Sequence, residues 1–136
     1  MDTVDEQVMP YFEGWIKLKA DKPGRVVAAE KIVYHRKLRC AGRLDVNYLL
    51  DDSLWQWDVK CVDKMTPETG LQTAAYAEFW NDMYPDQRIT KRAGVQLKPD
   101  GTYRFFPYTG PEHRGDLNIF LNALAIRNWI FNHRGK

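Results

Sequence analysis

Three strand-like segments follow one another between residues 25 and 62 with almost nothing between them. Residues 25–34 are rich in Val, Ala and Ile, and residues 38–50 and 54–62 continue the pattern. His35-Arg36-Lys37 turns the chain after the first, and Asp51-Asp52-Ser53 reverses it after the second. Connections this short join antiparallel neighbours, so a β-meander is expected. Thr66-Pro67 then reads as an N-cap followed by proline at the first helical position, opening a helix that runs to about Met83, before Pro85.

The flanks complete a single domain. Val8, Tyr11, Phe12 and Trp15 fall at helical spacing within residues 4–20, and Lys22-Pro23-Gly24 stops that pattern. Residues 88–97 and 102–106 read as two further strands joined by the Pro99-Asp100-Gly101 turn. Residues 107–115 read as loop. Asp116 reads as the cap of a last helix, 117–132, with Leu117, Phe120, Leu121, Leu124 and Phe131 on one face. The expected fold is therefore α/β (α+β-like) in the order αβββαββα, with a central mixed sheet of about five strands flanked by helices over residues 1–136.

A chain of 136 residues with 44% hydrophobic content, five Trp, seven Tyr and six Phe can bury one core, which argues against disorder. Trp80, Tyr84, Trp129 and Phe131 are expected in that core. Cys40 and Cys61 are the only cysteines, too few for a structural zinc site or an iron–sulfur cluster. Both fall in expected strands and read as buried free thiols. The start of the chain is acidic and no long apolar run occurs, so an intracellular, cytoplasmic protein without membrane contact is expected. The net charge of +2 says little, but residues 17–43 carry nine Lys or Arg against Asp21 and Glu30, a stretch able to neutralise phosphates.

The chemistry lies in the meander and the helix after it. Glu30 is on the first strand, Asp45 and Asp58 near the ends of the next two, and Lys60 two residues past Asp58 on the same face. Two converging carboxylates with the carbonyl of Val59 offer the hard oxygen ligands that Mg²⁺ takes, and Glu30 can complete the set directly or through water. An ammonium beside a metal-bound water can orient it and stabilise a charged transition state. With 18 acidic residues, one Asp-x-Lys tripeptide arises by chance about once, and the pair can equally be a surface ion pair of little energetic weight. The setting counts more: Trp55, Trp57 and Val59 alternate with Gln56, Asp58 and Lys60, giving one polar face. Gln72 and Tyr76, four apart, share a face of the following helix.

Together, Gly42-Arg43-Leu44-Asp45, Asp58-Val59-Lys60 and Gln72-x-x-x-Tyr76 resemble the PD-(D/E)XK nuclease superfamily, specifically its RecB-like, phage-exonuclease branch. Val95-Gln96-Leu97, Asp100-Gly101 and the Phe120-containing helix resemble the end of that branch, so the likeness runs from about Tyr11 onward. The resemblance implies a restriction-endonuclease-like core. It implies that Asp45 and Asp58 bind Mg²⁺ or Mn²⁺, that Lys60 serves the attacking water, that Glu30 is the upstream acid, and that Gln72 and Tyr76 brace the site. It also implies cleavage of DNA, often exonucleolytic, in phage or bacterial recombination and repair, with a homo-oligomer or a recombination protein as partner; a phage-encoded form would act in the host cytoplasm. Two features depart from the pattern: no histidine precedes His35, and Leu44 stands where proline is usual.

Lys31, Arg36, Lys37, Arg43 and Lys64 are the expected nucleic-acid contacts. His35 falls in an expected turn, His113 in an expected loop and His133 at a helix end. Tyr103-Arg104-Phe105 reads as a half-buried edge strand or a platform for single-stranded bases. The alternative functions are a nuclease-like module that binds DNA or protein without cutting, and a structural subunit whose basic segment docks an acidic partner.

Overall fold

The computed structural model describes residues 6–134. Helix α1 spans Met9–Asp21, and three strands follow, β1 (Arg25–His35), β2 (Cys40–Leu50) and β3 (Ser53–Lys60). Helix α2 (Glu68–Met83) leads to strands β4 (Lys91–Leu97) and β5 (Tyr103–Tyr108), and helix α3 (Gly110–His133) ends the domain. The strands form one open sheet in chain order. All neighbours are antiparallel except β3 and β4, which run parallel because α2 carries the chain back between them. The expected α/β class, element order and mixed five-stranded sheet are those observed.

The sheet has a core on each face. On one, Leu18 of α1 packs with Tyr48, Trp57, Val95 and Leu97, and Trp15 joins them. Trp57 is fully buried, stacked on Tyr48 at 4.1 Å and met edge-on by Trp15 at 6.3 Å and Phe105 at 5.7 Å. On the other, Ala75, Ala77, Phe79 and Trp80 of α2 cover Val33 and Leu44, with Phe120 of α3 behind them. Arg92 pins this layer from β4. Its guanidinium is buried, donates to the Gly70 carbonyl (2.8 Å) and the Thr73 hydroxyl (2.9 Å), and pairs with Asp116 at 3.2 Å. No helix among the described residues is long and apolar enough to cross a membrane.

Several expectations need correction. Residues 4 and 5 of the first expected helix lie outside the described residues, residues 6–8 form a turn, and the helix begins at Met9 with proline in its first turn. Thr66 does not cap α2, whose N-cap position is Pro67. The segment 107–115 is not a loop: β5 runs to Tyr108, and α3 opens at Gly110. The cap is Thr109, whose hydroxyl accepts from the Glu112 amide while the Glu112 carboxylate accepts from the Thr109 amide. Asp116 is thereby freed for Arg92. His113 is half-buried in the first turns of α3, and His35 ends β1 rather than lying in the turn. Cys61 lies past the end of β3 and is exposed, while Cys40 is half-buried in β2. Trp80 is buried as expected, but Trp129 and Phe131 are exposed, because α3 outruns the helix it packs on.

Candidate metal centre at a fork in the sheet

β2 and β3 pair only between Val46↔Trp57 and Leu50↔Ser53. Beyond that point they part: β2 continues with β1 from Leu44 to Cys40, and β3 continues with β4 from Asp58 to Lys60. Asp45 and Asp58 are the first residues on either side of this fork. Asp45 is not near a strand end, as the sequence suggested, but in the middle of the eleven-residue β2; Glu30 lies on the first strand as expected.

A local irregularity turns Asp45 toward the fork. Residues two apart on a regular strand share a face. Leu44, however, belongs to the α2-side core and Val46 to the α1-side core. The alternation therefore slips at Asp45. Opposite it, Ala29 pairs with Val46 and Lys31 with Leu44, and the intervening Glu30 takes a left-handed backbone (φ 49°). That conformation is costly for a residue with a Cβ, on the order of 1 kcal/mol or more. It puts the slip in β1 level with the slip in β2.

The Asp45 carboxylate accepts from the Val59 amide at 2.9 Å, which occupies a backbone group that the fork takes out of the β2–β3 ladder. Asp58 is 2% exposed, and its Oδ2 has no hydrogen-bond partner. The Lys60 ammonium lies 3.2 Å from that oxygen, an ion-pair distance without hydrogen-bond alignment. Burial pushes the Asp58 carboxyl up to about 6, the hydrogen bond and negative charge of Asp45 add to the rise, and Lys60 opposes it. Two carboxylates thus crowd a dry site with too little positive charge between them.

Lys60 also donates to Gln72 Oε1 at 3.4 Å, and Gln72 Nε2 donates to the Tyr76 hydroxyl at 3.0 Å. The four-residue spacing places both on the α2 face that looks onto the end of β3. The role of Gly42 is steric. A Cβ there would lie 2.3 Å from Tyr76 Cε1, so only glycine lets the ring cross β2. Gln96, on β4 opposite Lys60, donates to the Val62 and Asp63 carbonyls at 2.8 and 2.9 Å and holds the loop between β3 and α2. Its role was missed from sequence, because the register that sets it opposite Lys60 depends on the crossover through α2 and leaves no local signal.

The structure brings Asp45, Asp58, Val59, Lys60, Gln72 and Tyr76 together. Glu30 lines one cleft of about 340 Å³ with Asp45 and Val59. It does not complete a ligand trio: among the described residues no three His, Cys, Asp or Glu side chains are grouped closely enough to hold a metal. The expected nucleic-acid contacts are dispersed. Arg43 and Lys64 are exposed and flank Asp45 and Lys60 in the chain. Arg36 and Lys37 occupy the β1–β2 turn, about 16 Å along β2 from Asp45. Lys31 is half-buried, its ammonium 5.6 Å from the centre of the Tyr84 ring.

The fold and site together define an α/β protein with a carboxylate-and-lysine centre at a fork in an open mixed sheet. No model of a known family matches the chain, and no curated protein matches it significantly.

Proposed function

We propose that the protein is a Mg²⁺- or Mn²⁺-dependent deoxyribonuclease of the PD-(D/E)XK kind, acting on linear DNA ends as an exonuclease in recombination or repair. One observation carries the reading: the buried Asp58 oxygen that has no hydrogen-bond partner, beside Asp45 and Lys60. A buried carboxylate whose oxygen has an ammonium near it but no aligned hydrogen bond, with a second carboxylate beside it, is costly, and a hard divalent cation is the partner its chemistry fits. Asp45 and Asp58 would hold the ion, with the Val59 carbonyl as a further oxygen donor. The bound ion supplies a more acidic water and charge compensation at the phosphate.

The remaining roles belong to the chain. Lys60 brings a positive charge within reach of the attacked phosphate and orients the water. Gln72 accepts from the Lys60 ammonium and Tyr76 holds Gln72, so the aim of the ammonium is set by α2 rather than by its own flexible stem. Arg43 and Lys64 would meet phosphates beside the site, so binding would weaken as salt rises.

DNA labelled separately at each end, in linear and circular form, tests this. In magnesium, linear DNA is expected to shorten from one labelled end while circular DNA survives, and EDTA is expected to stop the reaction. Binding of DNA in both calcium and magnesium without any turnover would instead identify a module that recognises DNA without cutting it.

A further inference from the structure

Residues on both faces of the sheet converge on the fork, and the two sides differ in chemistry. Lys60, Gln72 and Tyr76 lie on the α2 side. On the α1 side is the cleft that Glu30 and Asp45 share with Trp15, Val46, Val59 and Leu97. Those last four belong to the α1-side core, so one wall of the cleft is apolar. Its lining holds two acids, Glu30 and Asp45, and no base. Such a cleft repels a phosphate, which the Lys60 side attracts, and suits a flat, uncharged group instead. Its volume of about 340 Å³ is at the small end of the range for ligand pockets, about 300–1,000 Å³.

Trp15 is braced in this wall. Its ring is half-buried and meets Trp57 edge-on at 6.3 Å, and Trp57 is itself stacked on Tyr48 at 4.1 Å. A ring already held in place loses little freedom when a ligand stacks on it. Glu30 supplies the polar contact. Its left-handed backbone (φ 49°) breaks the regular strand, and its side chain is exposed in the lining of the cleft. An ionised carboxylate only accepts hydrogen bonds, and its two oxygens match two neighbouring donors. On its pairing edge guanine alone among the DNA bases sets two N–H donors side by side. Adenine, cytosine and thymine each put an acceptor next to the donor.

We propose that this cleft seats the base of the unpaired terminal nucleotide, with Trp15 stacking on the base and Glu30 accepting from its pairing edge, so that guanine is held best. The proposal rests on the reading of Asp45, Asp58 and Lys60 as the place where a phosphodiester is gripped. It adds the direction in which the nucleotide faces, base toward α1 and phosphate toward α2.

Internally labelled single-stranded oligonucleotides that differ only in their two terminal nucleotides test it. The ends carry guanine, hypoxanthine (guanine without its exocyclic amine), thymine, or a sugar–phosphate with no base. Affinity is read by fluorescence anisotropy in calcium, and cleavage separately in magnesium. The unmodified chain is expected to bind guanine-ended DNA roughly tenfold or more tightly than base-free ends, with hypoxanthine and thymine between. Trp15→Leu is expected to shrink that advantage while base-free ends bind as before. Trp15 also packs on the core, so the comparison among ends on the unmodified chain stands without this variant. Glu30→Gln, at an exposed position, is expected to bring guanine close to hypoxanthine and to keep the advantage of both over base-free ends. Equal affinity of the unmodified chain for guanine-ended and base-free DNA would overturn the proposal even if both are cleaved. So would a guanine advantage that survives undiminished in both variants. The nuclease reading fails separately, through absence of cleavage in magnesium by a chain that shows the expected order of binding.

Discussion

Lys60→Ala is expected to lower magnesium-dependent DNA cleavage by about 10²–10⁴-fold while the protein stays folded. The Lys60 side chain ends β3 half-exposed, so little packing is lost with it. What is lost is the ammonium that pairs with Asp58, together with the donor to Gln72. Unchanged circular dichroism with near-complete loss of single-turnover cleavage is the expected outcome. Cleavage that persists at wild-type rate in the alanine variant would remove Lys60 from the chemistry and reduce its contact with Asp58 to a structural ion pair.

The second large effect comes from a residue that carries no chemistry. Gly42→Ala places a methyl 2.3 Å from Tyr76 Cε1 and 3.1 Å from Cζ. β2 is held in register at this point by pairing of Gly42 with Val33, so the ring must give way rather than the strand. Overpacking of this kind costs about 1–3 kcal/mol. It also breaks the Tyr76–Gln72 contact that aims Lys60, and a misplacement of about 1 Å at a catalytic group can cost on the order of 10²-fold in rate. Thermal denaturation and cleavage rates are expected to fall together in Gly42→Ala. In Tyr76→Ala the added methyl has room, so Gly42→Ala in that background is expected to cost little further stability. A full additive penalty in the double variant would show that the clash is not with the ring.

The order of elements was legible because its punctuation is local. The turns at His35-Arg36-Lys37 and Asp51-Asp52-Ser53 lie within two residues of where the chain reverses. α3 was misread because Gly110, Pro111 and Gly115 look like loop residues. Pro111 is tolerated in a first turn, Gly115 costs only about 1 kcal/mol, and Thr109-x-x-Glu112 was the stronger start signal. The exposed ends of α3 were misjudged for a different reason. Periodicity places Phe131 on the same face as Leu124, but it says nothing about where α2 stops.

The site was legible in composition and not in placement. The spacings within Asp58-x-Lys60 and Gln72-x-x-x-Tyr76 carry over directly, since the strand period aligns the first pair and the helix period the second, while the packing of α2 on the sheet brings the two pairs together. The fork does not follow from any local pattern. It depends on β3 leaving β2 after Trp57 while it stays paired with β4 from Trp55 to Lys60, a pairing set by the crossover through α2. Nor does the slip at Glu30 and Asp45, where the strand pattern calls for regular alternation and the backbone departs from it.

The central claim is that Asp45 and Asp58 converge to hold one divalent cation. Manganese binding, followed by electron paramagnetic resonance on the DNA-free protein, reads this without any turnover. The unmodified chain is expected to bind manganese, and Asp45→Asn and Asp58→Asn are each expected to weaken that binding by at least about tenfold while Glu30→Gln changes it less, since Glu30 stands outside the pair. Manganese affinity that is the same in the unmodified chain and in Asp58→Asn would contradict the account.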